Sequence, residues 1–336
     1  MKIKEYFMPK SLIYTGTHKD VSTKIIHYQY NAETVEITND FIPIEARKHY
    51  IQVIGLSEIE KILGLKKYYK VNPLILEDVF NVKQRNKLEL YDDFLFGAMH
   101  VEYLDEGKIK EDYMSILLNE DAIISFHETE PVYLAALPPL FEKSEELRNR
   151  NADYLFYQIF DIITDNHLDI FDSLATKTAS FEEEILESKK IDQENFYLVR
   201  KEILKLKNCV SPVLEELDTI LDRKHRLFWQ ESQPYFEDLT DHLQRLDSQL
   251  NQSREEMRHL LDLLINNQSN KMNQIMTTLT LFSAVFIPLS FLAGFFGMNF
   301  VHFQVLQYEH AIELFVGGCV LLAVVMLVLF KKMKWF

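Results

Sequence analysis

The chain has 336 residues, 47% of them hydrophobic, with 51 acidic against 36 basic side chains and a net charge of -15. That hydrophobic content excludes a disordered chain, nine Gly and nine Pro exclude a collagenous or linker-rich one, and two Cys can build neither a disulfide framework nor a four-thiolate zinc site. So negative a chain is a poor binder of nucleic acid and a plausible collector of cations.

Residues 11–54 hold short β-prone pieces, SLIYTG, KIIHYQY, TVEIT and HYIQVIG. Behind them Ser57–Leu65 and Pro73–Phe80 read as helices opened by a Ser cap and by a Pro. Strand patterns return in FLFGAMHVEYL and YMSILLNEDAIISFHE, which makes residues 1–150 a mixed α/β domain. After Pro131 the apolar spacing becomes 3 and 4, and Pro131–Arg148, Ala152–Ser188 and Gln193 to about Gln230 are predicted helices, so that 151–233 is a long-helix region. The chain is therefore of the α+β class. Cys209 and Cys319 stand 110 residues apart in different surroundings and read as free thiols. MKIKEYFMPK lacks the apolar core of a signal peptide, so the leading domain is expected in the cytoplasm with its thiols reduced.

Leu239, Leu243, Leu246, Leu250, Ser253, Met257, Leu260 and Leu264 alternate by 4 and 3, and neither Pro nor Gly interrupts Tyr235–Val285. One helix is thus predicted to run as a stalk through 234–274 and on into an apolar stretch, with Pro288 the place for a kink. So long a seam needs a partner, and self-association around an axis is the economical expectation; packing against the chain's own helices is the alternative.

Between Lys271 and Glu309 there is no Asp, Glu, Lys or Arg, and Met276–Phe296 is almost unbroken in its apolar character. About 20 residues suffice to cross a hydrocarbon core of ~30 Å, so 275–298 is predicted to span a membrane. Leu314–Phe330, extended outward to 311–331, is the second span, with 299–310 a loop between them and 332–336 a basic tail. Lys331, Lys332 and Lys334 close the second span while the loop has no Lys or Arg, which places both termini in the cytoplasm of a multi-pass membrane protein. Within the first span Asn273, Met276, Thr280, Ser283, Ile287, Ser290 and Gly294 recur at 3 and 4, one helical face of small or polar groups. Such a face wants either water or a closely packed neighbour.

Behind it comes Gly297-Met298-Asn299, set in FIPLSFLAGFFGMNF. This resembles the CorA family of magnesium and cobalt transporters, whose signature is a Gly-Met-Asn triplet at the outer end of the first of two carboxy-terminal spans. The resemblance extends to the closing KKMKW, to SNKMN at 269–273, PYFEDLTDH at 234–242, DYLFYQIFD at 153–161 and LEDVFNVKQRNKLELYDDF at 76–94. It implies a homopentameric funnel in the cytoplasmic membrane, with five first spans lining a pore. The pore positions it implies are Asn273, Met276, Leu279, Ser283, Ile287, Ser290, Phe296 and Asn299, with Leu279 where the helical wheel selects Thr280. It implies further that cytosolic Mg²⁺ bridges subunits through the acids matching Asp78 and Asp238 and holds the pore shut, Mg²⁺ being both cargo and regulator and Co²⁺ or Ni²⁺ alternative cargo.

The chemistry suits that reading. Mg²⁺ sheds water slowly, so rings of neutral amide oxygens at Asn299 and Asn273 can hold it hydrated without trapping it, and Met276, Leu279 and Ile287 between them can close by dewetting. Two departures stand out: Phe296 occupies a position where the family often has Tyr, and the loop VHFQVLQYEH offers only Glu309, His302 and His310 in place of the usual acids. Loop histidines favour softer ions, which keeps a Zn²⁺ transporter of the same superfamily as an alternative, although Met298 is intact. A membrane-anchored sensor or scaffold is the remaining class. An enzyme is not expected, because GxxxxGK, GxSxG, HExxH and paired CxxC motifs are all absent.

Overall fold

The computed structural model describes residues 12–39, 47–69, 73–187, 189–298 and 308–333. The chain divides into two compact units, Met1–Arg258 and His259–Phe336.

The first unit is built on a seven-stranded sheet in the order β2-β1-β3-β7-β6-β5-β4. Its strands are β1 (Lys24–Tyr30), β2 (Val35–Thr38), β3 (Lys48–Ile54), β4 (Lys87–Leu90), β5 (Leu95–Asp105), β6 (Lys108–Leu118) and β7 (Ala122–His127). All pairs are antiparallel except β3 with β7, which run parallel in register Tyr50 to Ile123 and Val53 to Phe126. These two central strands are almost wholly buried, as strands covered on both faces must be. On one face Ile51, Val53, Phe96, Tyr113, Ile124 and Phe126 meet α1 (Ile59–Tyr69) and α2 (Pro73–Phe80) through Ile62, Ile75, Val79 and Phe80. On the other, Tyr28, Tyr30 and Tyr50 gather around Phe141 with ring centroids 4.8, 5.2 and 5.9 Å away. Phe141 belongs to α3 (Leu137–Lys143), which is followed by α4 (Glu145–Asn149).

Two local expectations are corrected and one strand was not foreseen. SLIYTG forms no strand over its described residues: Thr15 donates one backbone bond to Phe80 O (3.0 Å) and Tyr14 is spent on the core, so no ladder develops. Ser57 does not cap α1, because its hydroxyl donates to Val21 O at 2.9 Å and the helix begins two residues later. KLEL, too short and too charged to announce itself, is the edge strand β4, paired with β5 in register Lys87 to Ala98.

Helices complete the unit: α5 (Ala152–Leu186), α6 (Gln193–Asp222) and the first part of α7 (Gln233–Phe296). Asp192 opens α6 by accepting from the Glu194 and Asn195 amides at 3.1 and 3.3 Å, satisfying two donors that a helix start leaves unpaired. The helix ends at Asp222, eight residues before the predicted Gln230, where the chain turns through Lys224 at a φ of 48°. α6 also seals the sheet margin, since Glu216 accepts the Leu88 amide of β4.

The heptad seam of α7 is spent inside the protomer, which corrects the expectation that it mediates self-association. Leu239, Leu243, Leu246, Leu250 and Met257 are all at most 3% exposed. Their partners are the chain's own helices: Leu243 lies with Phe160 and Val213, Phe236 meets Phe156 at 6.4 Å, and Thr178 Oγ1 lies 3.7 Å from Met257 Sδ. A polar contact fixes the register, as Asp247 accepts from Ser211 and from Lys207 (3.5 Å) on one oxygen and from Asn251 (2.9 Å) on the other.

In the second unit α7 continues without interruption through Pro288 to Phe296, and α8 covers Ala311–Lys332. Both are long and apolar enough to cross a membrane.

Candidate ion pathway

The spanning part of α7 has a covered side and a bare side. Leu281, Val285, Pro288, Leu292 and Phe296 are partly covered, and Phe296 packs its ring 5.2 Å from that of Phe315 on α8. Leu292, Phe296, Tyr308, Leu314, Phe315 and Cys319 line an apolar groove between the two helices. Asn273, Met276, Leu279, Thr280, Ile287 and Ser290 are exposed, Met276, Leu279 and Ile287 by 60 to 67%, while Ser283 is intermediate.

At about 100° per residue Phe296 sits half a turn away from Ile287, so a regular helix turns the two to opposite sides. Six of the eight expected pore positions within the helix are thus exposed, Ser283 lies on the same flank partly covered, and Phe296 keeps company with α8. The Thr280 hydroxyl donates to Met276 O at 2.8 Å, as Thr278 does to Gln274 O at 2.9 Å, so each threonine satisfies its own donor within the helix. Between the two contending positions, Leu279 presents an unencumbered apolar side chain and Thr280 a hydroxyl already engaged.

The end of α7 explains its glycine. Gly297 N donates to Ala293 O at 3.0 Å and Met298 N to Phe295 O at 3.4 Å, so the last turn tightens as the helix stops. A Cβ on Gly297 would fall 2.9 Å from that same Ala293 carbonyl, a backbone atom with no room to yield. Asn299 lies outside the described residues, as do His302 and Lys334.

The two acids assigned to control differ in their surroundings. Asp78 is on α2, where Lys87 Nζ reaches its Oδ2 at 2.9 Å and Glu89 Oε1 at 3.1 Å. Burial draws the Lys87 ammonium down, yet its bonds to the two carboxylates outweigh this and raise it on balance. Asp78 is therefore already engaged within its own chain. Asp238 is on the first turns of α7, 59% exposed, with His242 Nε2 3.9 Å from its Oδ1.

Sequence reading passed over what surrounds Asp238. On α5, Asp161, half-buried, and Asp165, exposed, stand one turn apart, and desolvation pushes both carboxyls up; the charge of Asp165 adds to the shift at Asp161, and His242 counters it at each. Asp238 adds to the shift at Asp161 as well, so the three acids and His242 share one electrostatic neighbourhood. The signal was present in DYLFYQIFDIITD, where acids four apart interrupt an apolar face. Among the described residues of one protomer, three or more His, Cys, Asp or Glu side chains are nowhere arranged to hold a metal ion.

With this geometry established, comparison with known proteins places the chain. The model of the family described as "CorA-like Mg2+ transporter protein" matches residues 56–332. The chain belongs to that family. It is accordingly a divalent metal cation transporter and not an enzyme. Among relatives, the cobalt/magnesium transport protein CorA of Thermotoga maritima is 25% identical over 100% of this chain and 98% of its own length. The zinc transport protein ZntB of Pectobacterium atrosepticum is 26% identical over 42% of this chain and 43% of its own. Among solved structures, the CorA magnesium transporter of Methanocaldococcus jannaschii superposes with a TM-score of 0.74 at 20% identity, covering 94% of this chain and all of that one.

Proposed function

We propose that five copies of this CorA-family chain assemble in the cytoplasmic membrane, both termini inside, around a pore lined by α7, and that the pore carries hydrated Mg²⁺. The observation that carries this reading is the bare flank of α7: α8 covers the side of Leu292 and Phe296, while Asn273 and Ser290, on the other side, are exposed among the described residues. A polar flank is costly against lipid and is accommodated around a shared aqueous axis. Asn273 and Asn299 supply amide oxygens for bound water, and Met276, Leu279 and Ile287 form the apolar throat that closes by dewetting.

Control follows from Asp238 and its acidic neighbours. Carboxylates brought together across a subunit boundary repel unless a cation lies between them, so internal Mg²⁺ favours the closed assembly and its loss releases it. Asp78 enters such a site only by sharing its charge with Lys87, which makes Asp238 the stronger contributor.

Flux of Mg²⁺, Co²⁺ and Zn²⁺ into liposomes containing the purified protein tests the reading in one preparation. Mg²⁺ flux is expected in the wild type and none in Asn299→Ala, with the oligomer unchanged; continued flux in that variant refutes the role of the amide ring. Preference for Zn²⁺ would favour the zinc reading that the likeness to ZntB and the loop histidines support. Absence of any flux favours a sensor or scaffold. Asp238→Lys is expected to keep the pore conducting at high internal Mg²⁺, and inhibition equal to the wild type's counts against the control site.

A further inference from the structure

Where β5 outruns β4, the sheet margin is met by α6, and the contact is charged. β4 pairs with β5 only over Leu95–Ala98. Beyond it Asn86 bridges the gap, accepting from His100 N at 2.9 Å and donating to Cys209 O at 3.1 Å. Farther along, Lys205 of α6 reaches Glu111 Oε2 at 2.8 Å, Glu102 Oε1 at 3.4 Å and Glu202 Oε2 at 3.9 Å. His100 Nδ1 lies 3.2 Å from the other oxygen of Glu111. Three carboxylates thus share one ammonium.

Glu102 is the worst placed of them. Its side chain is fully buried, and neither of its oxygens meets hydrogen-bond geometry with any described residue. The groups that face it are His100 on β5, Glu111 on β6, and Glu202, Lys205 and Cys209 on α6; α5 adds His167, which lines the same small cavity as His100 and Cys209. A carboxylate buried without full compensation takes up a proton in preference to keeping its charge. Burial accordingly moves Glu102 up to about 7, with Lys205 opposing and the charges of Glu202 and Glu111 adding. Glu111 is held down at about 2, first by its bond from His100 and then, against burial, by Lys205. Of the three carboxylates, Glu111 has the shortest contact with the ammonium.

We propose that Glu102 is a proton-operated latch between sheet and helix: when protonated it lets α6 seat on the margin of β5, and when ionised its buried charge, crowded by Glu202 and Glu111 beyond what Lys205 offsets, makes the segment around Lys205 open to let water in. In the opened segment Glu102 titrates at the ordinary value of about 4.3, whereas the seated group holds its proton to about 7. Between those values the seated form binds the extra proton, so the opening constant rises roughly tenfold per pH unit and levels off above them. His100, raised by its bond to Glu111, works in the same sense but only above its ordinary 6.5. Global melting is a poor readout, because burial holds His127 and His167 at about 3 and about 4, and those groups gain stability as pH rises through the same interval.

Hydrogen exchange on the full-length protein in detergent, corrected for its intrinsic pH dependence, reads the segments 99–103 and 202–209 separately from the rest. Wild-type protection there should fall roughly tenfold per unit from about pH 5 to about pH 7. Glu102→Gln, neutral at every pH, should lose that slope and keep only the His100 limb above it. Glu111→Gln frees Lys205 for Glu102 and should shift the whole transition to lower pH. A flat wild-type profile, a full slope in Glu102→Gln, or an unmoved midpoint in Glu111→Gln each overturns the latch; should Glu102→Gln fail to fold, the other two profiles decide. None of these readouts needs ion flux, so the latch fails or survives apart from the transport reading.

Discussion

Helix α7 passes through two regimes. From Phe236 to Met257 its apolar seam is buried against the helices of its own chain, Leu239, Leu246 and Leu250 being wholly covered. From Met276 to Ile287 the same helix leaves residues of equal apolarity bare, Leu279 at 66% and Ile287 at 67%. The first stretch finds its partner in the protomer; the second is left uncovered by the described residues of the chain. Periodicity alone cannot separate the two, since a 3 and 4 spacing says that a face will be covered and is silent about what covers it.

The contrast breaks most visibly under truncation. Leu246→Ala should lower the unfolding free energy of the body by about 2–5 kcal/mol, the usual range for a buried leucine, whereas Leu279→Ala should leave the melting of the body within about 0.5 kcal/mol of wild type. Equal losses in a chemical or thermal melt would show that the spanning part is as well packed within the protomer as the seam. Gly297→Ala acts at the other extreme of the helix: the Cβ collides with the Ala293 carbonyl, at a local cost of about 1–3 kcal/mol. Ion flux should drop while the melting of the body stays put, and unchanged flux would show that the turn yields without consequence.

A further effect, spread over more than two pH units, sharpens the contrast through pH. His167 is buried on α5, and burial alone draws its imidazole down to about 4. Its unfolded counterpart takes up a proton near 6.5, so the stability it contributes is complete above that value and is lost as the pH falls toward about 4. The loss amounts to about 1.4 kcal/mol per pH unit for one group. His167→Leu should flatten the acid limb of the melting profile by that slope and leave oligomerisation in detergent untouched; an unchanged limb would assign the acid sensitivity to His127 or His27.

Much of the fold was legible where one residue type had one use. The two central strands showed as apolar runs, α7 as an unbroken heptad pattern, and the spans as stretches without charge. What failed was what depended on a partner distant in sequence. Tyr14 looked like part of a strand because its destination, the core beneath Phe80, lies 66 residues on. Ser57 looked like a cap because Val21 was out of view. Among site residues, Gly297 was recognised from its motif, and the structure adds the Ala293 carbonyl as the physical reason. Lys87 was not foreseen as the counter-charge of Asp78, nor Asp161 and Asp165 as company for Asp238, because i and i+4 acids on a half-buried helix read first as a solvated face.

The contact of Glu216 with the Leu88 amide has a consequence beyond the protomer. A sheet that ends in an open margin offers any extended peptide a place to attach, and long parallel stacks begin that way. By occupying that amide with a carboxylate, the helix denies strangers an invitation. At this margin the addition of a foreign strand is disfavoured.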